Sequence, residues 1–262
     1  MFDFKNITVE INNAVATVAI NRPEVYGALT REAKLELISA IRKLNRDNDV
    51  KSLVLTGTGK AFCSGQDLND RTVKAGDRPV DLGVTLSEEW NPLVNAIRES
   101  KKIVIGAING VCAGAGVSVA LACDMIVCDP KVKFVSGFSK LGLCPDAGST
   151  STFAKALGEK KAMEFFLFNQ PIMAEQMKEY GLINMVDENY TEIAQNWASE
   201  VASMAPLAVQ MIKENIRNSG DVSYHDSMER ETYCQRFLGN SEDYKEGLNA
   251  FFEKRAPQFK GQ

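Results

Sequence analysis

A chain of 262 residues, 45% hydrophobic and 24% charged, has material for one large α/β domain with an ample core, with or without a small helical appendage. Its 30 basic and 34 acidic residues leave a net charge of −4, so nothing in the balance asks for a nucleic-acid partner. No stretch approaches the roughly 20 apolar residues of a membrane span, and Met1–Lys5 lacks a basic-then-apolar leader, which points to a cytoplasmic protein without membrane contact.

Apolar residues at Val9, Ile11, Val15, Val18 and Ile20, around Asn12-Asn13, predict a β-hairpin that Asn21-Arg22-Pro23 breaks. From Thr30, an N-cap candidate, Ala33, Leu37, Ile38, Ile41 and Leu44 recur at helical spacing. Ser52–Thr56 reads as a buried parallel strand leading into a glycine-bearing loop. The pattern then repeats: a helical stretch over 86–99, a strand over 103–108, the turn Asn109-Gly110, a small-residue loop and a helix over about 115–123. Strands over 125–128 and 133–135 follow, and beyond Ser151 the pattern is almost wholly helical, over 154–157, 160–168, 174–180, 191–203, 206–218 and 224–238. Such alternation predicts a mostly parallel sheet with covering helices. A core over 1–200 and a helical region over 201–262 are expected.

Six cysteines, at 63, 112, 123, 128, 144 and 234, form no repeated close pair, so core thiols are expected rather than disulfides or a metal site. The single histidine, His225, lies in a polar segment, and no nucleophile elbow accompanies it.

Two loops, 60–68 and 109–118, follow the carboxyl ends of predicted strands, the edge at which α/β sheets bind ligands. Gly114 and Gly116 allow close backbone approach, and the helix that follows directs free N–H groups at whatever sits there. Such donors suit a thioester oxygen becoming an enolate. Downstream, Pro145-Asp146-Ala147-Gly148 places a carboxylate in a turn, where it reads either as a helix cap or as a proton-transfer group.

These stretches together resemble the crotonase (enoyl-CoA hydratase/isomerase) superfamily over nearly the whole chain. The matching pieces are Asn21-Arg22-Pro23, the loop Ala61 to Leu68, Asn109-Gly110 through Asp124, Gly142 to Gly148, Ala174 to Leu182 and the tail Glu253 to Gly261. The resemblance implies an α/β spiral of ββα units with a C-terminal helical trimerisation region, assembled as a homotrimer or a dimer of trimers. It implies an acyl-CoA thioester as substrate and no separate cofactor or metal, coenzyme A being part of the substrate. By the same resemblance the oxyanion hole is expected at the N–H groups of Ser64 and Ala115. Ala61, Phe62, Gln66, Asp67 and Leu68 are expected along the coenzyme A arm, with Gly114 and Phe138 beside the acyl group and residues 69–89 over it.

Family hydratases use two glutamates, and the matching positions here are Ser118 and Phe138. Neither serves as an acid or base near neutral pH. The acid stands at Asp146 instead, as in the peroxisomal-type Δ3,Δ2-enoyl-CoA isomerases, the ring-epoxide isomerases of phenylacetate breakdown and a dehalogenase branch in which it is a nucleophile. The resemblance therefore implies an enoyl-CoA isomerase with Asp146 as its base, in an apolar surround that strengthens it. A hydratase, or a catalytically weak acyl-CoA-binding protein of the same fold, is the alternative.

Overall fold

The computed structural model describes residues 3–71 and 80–262, with only the backbone of Arg71. The expected hairpin is β1 (Ile7–Asn12) and β2 (Val15–Ile20). It turns one residue later than expected, at Asn13 and Ala14, with φ of 47° and 67°. Two successive positive φ values make the primed turn whose twist suits a two-residue hairpin. Thr30 caps α1 (Arg31–Arg46), its Oγ1 accepting from Ala33 N at 3.2 Å.

The chain then steps between two sheets. β3 (Ser52–Gly57) is followed by the short β4 (Ala61–Cys63) and a helical passage of α2 (Leu82–Thr85), a π turn (Leu86–Trp90) and α3 (Asn91–Arg98). β5 (Ile103–Ile108) is followed by β6 (Val111–Ala113) and α4 (Ala115–Ala122), and β7 (Met125–Cys128) by β8 (Lys133–Val135) and α5 (Ser149–Phe168). This is the ββα spiral. The first sheet runs β1-β2-β3-β5-β7-β10 and is parallel apart from its hairpin, with β10 at Met185–Val186. The second runs β4-β6-β8-β9, with β9 (Ile172–Met173) antiparallel to β8.

Side-chain alternation explains why both faces of the first sheet are covered. Val18, Ile20, Leu53, Leu55, Val104 and Ile126 join the main core with α1, α3 and α4, whereas Val15, Val54, Ile105 and Val127 pack against Ala194 and Ala198 of α7 (Tyr190–Ala202). On that second face Ser52 Oγ donates to Ala198 O at 2.7 Å, which satisfies a hydroxyl inside an otherwise apolar layer. After α6 (Ala174–Glu179) and α7, the chain finishes in α8 (Pro206–Asn218), α9 (Tyr224–Leu238) and α10 (Glu242–Glu253).

Several expectations need correction. The helices expected over 154–157 and 160–168 are one element, α5, interrupted only at Gly158 with φ 74° and ψ 163°. The region beyond 151 is almost wholly helical, as expected, with the two-residue strands β9 and β10 each at the edge of a sheet. The last helix, α10, was not anticipated. Of the cover expected over 69–89, residues 72–79 lie outside the described residues. Among the described residues no helix is long and apolar enough to cross a membrane.

Candidate active site

The two glycine loops meet because β4 and β6 pair in parallel. Asn109 pins the junction: its Oδ1 accepts from Gly57 N at 3.1 Å, and its Nδ2 donates to Gly59 O at 3.1 Å and Ala61 O at 3.0 Å. Gly116 lies so close to the first loop that a Cβ there would stand 2.1 Å from Cys63 O. Gly114 has φ 53° and ψ −132°, open to glycine without strain, and from that conformation it starts α4. Ala115 is then the first residue of α4, and helix geometry leaves its N–H without an intrahelical acceptor.

The N–H groups of the first loop are not all directed as expected. Ser64 N donates to Tyr26 O at 3.1 Å, and its hydroxyl to Val25 O at 3.4 Å. Ser64 is therefore anchored to the preceding segment, and the expectation that its N–H serves an oxyanion is corrected. Gly65 N–H faces the Cys63 sulfur, whose thiol burial pushes up to about 12, so Cys63 stays a neutral core thiol. Leu29 N donates to Gly65 O at 2.8 Å and Asp67 N to Leu29 O at 3.1 Å, a parallel bridge centred on Gln66. In such a bridge the central residue's own N–H and C=O point away from the partner. Gln66 N–H thus faces away from Leu29, and the preceding Gly65 lies against the second loop, where a Cβ on it would stand 3.0 Å from Ala113 O and 3.4 Å from Ala115 N.

The rest of the loop is structural. Ala61 and Phe62 are buried in the core, so their side chains cannot line a coenzyme A arm. Asp67 is also buried; its Oδ2 accepts from Arg22 Nη1 at 3.0 Å and its Oδ1 from Asn69 N at 3.1 Å. Arg22 donates as well to Ala28 O, which ties the Asn-Arg-Pro segment to this loop. Leu68 is exposed at the loop's edge.

Asp146 stands at the other wall. Its main-chain oxygen accepts from Ser118 Oγ at 3.1 Å, from Ser149 N at 3.1 Å and from Ser149 Oγ at 2.9 Å. The chain then passes through Ala147 and Gly148, both left-handed with φ of 50° and 83°. For alanine that conformation is costly, and its persistence marks a turn held by its surroundings. α5 starts beyond it with Gly148 at the N-cap and no side-chain capping bond, so the helix-cap reading of Asp146 does not hold. Asp146 Oδ1 is a buried atom. Ser118 lies three residues, about 4.5 Å of rise, beyond Ala115, so α4 links the N–H at its start to the Asp146 turn. Phe138 is buried in the same core cluster as Ala115, with Ala147 packed on it.

Elsewhere, Lys102 is turned into the end of α1, donating to Leu44 O and Asp47 O, with burial pulling it down to about 8. His225 is exposed on α9, away from these groups in sequence and environment. All six cysteines are free; Cys63, Cys112, Cys123 and Cys128 are buried, and Cys144, two residues before Asp146, is exposed. Sequence reasoning passed over Lys34, which is buried against Gln66 and Glu89. A charged residue within an apolar helical stripe was its only sequence signal.

The family model for enoyl-CoA hydratase/isomerase matches residues 10–262. A 1,2-epoxyphenylacetyl-CoA isomerase from Escherichia coli is 38% identical over 257 residues, covering 97% of this chain and 98% of the relative. A probable enoyl-CoA hydratase from Rhodobacter capsulatus is 34% identical, covering 98% and 99%. Among solved structures, the enoyl-CoA hydratase from Bacillus anthracis superposes with a TM-score of 0.92 at 30% identity, covering 98% of this chain and 100% of that one. With its ββα spiral, paired glycine loops and this similarity along its length, the chain belongs to the enoyl-CoA hydratase/isomerase family, in the crotonase superfamily.

Proposed function

We propose that the protein is an acyl-CoA isomerase that shifts the double bond of a 3-enoyl-CoA, or of a ring-epoxide-derived CoA ester, by proton transfer through an enolate. The thioester oxygen accepts hydrogen bonds from Gln66 N–H and Ala115 N–H, which acidifies the proton at C2. Asp146 removes that proton, the electron pair moves through C2–C3, and the C3=C4 bond takes the same proton back at C4. Atoms and charge balance without a co-reactant. Loss of one such donor costs about 3 kcal/mol in related chemistry, so the oxyanion site contributes at least as much as the base.

The observation that carries this reading is the identity and engagement of Ser118. Two carboxylates are needed to place and deprotonate water in the family hydratases, but here one position is Phe138 and the other is a serine whose hydroxyl is spent on the Asp146 carbonyl. The similarity to an epoxyphenylacetyl-CoA isomerase supports the same side, although a hydratase-named relative is nearly as similar.

Parent and Asp146→Asn proteins are to be assayed with 3-hexenoyl-CoA, crotonyl-CoA and the phenylacetyl-CoA epoxide. The parent is expected to turn over the first or third substrate and to hydrate crotonyl-CoA poorly, with Asp146→Asn losing about 10²-fold or more in kcat. Retention of isomerase activity within severalfold by Asp146→Asn would sink the assignment. Binding without turnover on all three would favour the weak acyl-CoA-binding alternative.

A further inference from the structure

Lys34 occupies the inward face of α1, between Ala33 and Leu37, and its side chain has no exposure to solvent. Burying an ammonium group is strongly unfavourable unless close partners compensate it. Its partners converge from the wall of the proposed site. Glu89 Oε2 lies 2.5 Å from Nζ, the Gln66 carboxamide oxygen accepts from it at 2.8 Å, and the Trp90 ring centroid is 4.7 Å away. Trp90, itself buried, donates Nε1–H to the same Gln66 oxygen at 3.2 Å, while Gln66 Nε2 donates to Asp67 O at 3.1 Å. The Gln66 side chain is thereby held at both ends, between a charged donor and its own loop.

We propose that Lys34 is a positioning residue for the reaction: with Trp90 it clamps the Gln66 carboxamide, so that the main-chain N–H of Gln66 stands beside that of Ala115 as the second oxyanion donor. The inference rests on the proposed oxyanion role of Gln66. A lysine suits the task because its charge strengthens the bond to the amide oxygen, and Glu89 compensates that charge inside the protein. Trp90 and Glu89 both come from the π turn ahead of α3, so the clamp ties α1, that turn and the first glycine loop into one rigid support. Lys34 need not touch the substrate.

The test uses para-dimethylaminocinnamoyl-CoA, a conjugated thioester with no proton to shift, whose absorption band moves to longer wavelength when its carbonyl is polarised. The full-length parent is expected to produce that shift. Lys34→Met is expected to bind the probe within a few-fold of the parent but to lose most of the shift. With 3-hexenoyl-CoA its kcat should fall about tenfold, with KM changed less than threefold, because a displaced donor costs less than a missing one. Gln66→Leu removes the clamped oxygen and leaves the Lys34–Glu89 pair in place, and it is expected to behave like Lys34→Met; should the latter fail to fold, Gln66→Leu decides alone. Either variant, folded and keeping the parental shift and kcat, overturns the proposal while the oxyanion reading stands. A parent that gives no shift removes the oxyanion reading first, and the proposal with it.

Discussion

Ser118 Oγ donates to the main-chain oxygen of Asp146 across 3.1 Å, joining the middle of α4 to the turn that carries the carboxylate. Ser149 N and Oγ hold the same oxygen, so the turn is supported from both the helix before it and the helix after it. Removing one of three neutral hydrogen bonds costs about 1 kcal/mol. Ser118→Ala is therefore expected to lower Tm by about 2–4 °C and kcat several-fold, read by calorimetry and the 3-hexenoyl-CoA assay. Ser118→Glu should likewise lose isomerase activity without gaining crotonyl-CoA hydration, since Phe138 still supplies no second carboxylate. Parental kcat and Tm in Ser118→Ala would contradict the anchoring role.

Gly116 sets how closely the two loops approach. A Cβ at this position would meet Cys63 O at 2.1 Å and Cys63 C at 2.8 Å, both main-chain atoms that cannot rotate away. Gly116→Ala must therefore push α4 and the first loop apart, moving Ala115 N–H relative to Gln66. A misplacement of about 1 Å costs on the order of 10²-fold in rate. That loss in kcat/KM is expected together with a lowered Tm, and a variant that kept kcat/KM within threefold would mean that loop spacing does not matter for turnover.

Much of this was legible in the sequence where the signal is periodic and local. Ala33, Leu37, Ile41 and Leu44 at helical spacing behind Thr30 announce α1, and short apolar runs rich in β-branched residues announce β2 and β5. Of the second sheet only β8 was legible, because β4, β6 and β9, strands of two or three residues set in glycine-bearing loops or between helices, are too short to show a period. That Ser64 N–H is already engaged was not legible for a related reason. Which N–H turns inward depends on a bridge to Leu29, more than thirty residues earlier, and on Tyr26 O capturing Ser64 N–H. The missing hydratase carboxylates at 118 and 138 were plain from residue identity, but the bond from Ser118 to Asp146 depends on tertiary placement. Lys34 was missed because lysines are rarely buried, even though Leu37, Ile38 and Ile41, three, four and seven residues on, place it on the apolar face of α1.

The Arg22–Asp67 pair is the structural counterpart of the site. Arg22 Nη1 reaches Asp67 Oδ2 at 3.0 Å with side-chain exposures of 15% and 7%, and also donates to Ala28 O. Removing the cation leaves a buried carboxylate without its counter-ion, for which a cost of about 3 kcal/mol is expected. Arg22→Met should lower the urea midpoint accordingly, and Arg22→Met with Asp67→Asn should recover part of that loss because the stranded charge is gone. Additive losses in the double variant would show that the pair does not act as a unit.

The C-terminal tail is expected to detach from α10 in acid. Glu246 accepts from Arg255 Nη1 at 2.6 Å, Arg255 Nη2 at 2.9 Å and Gln258 N at 2.7 Å, and these bonds to its charged form pull its carboxyl from the usual 4.5 down to about 2. A carboxyl held below its unfolded value binds fewer protons in the folded chain, so its contribution is complete above pH 4.5 and is lost as pH falls toward 2. The difference in urea midpoint between the parent and Glu246→Gln should therefore be constant from pH 7 to about 5 and close progressively between pH 4.5 and 2.5. Asp243, which accepts from Lys260 N at 2.7 Å and Gly261 N at 2.8 Å, keeps the last residues attached in the variant at neutral pH, so a partial effect rather than loss of the fold is expected. A midpoint gap that stays unchanged down to pH 2.5 would mean that Glu246 does not hold the tail through its charge.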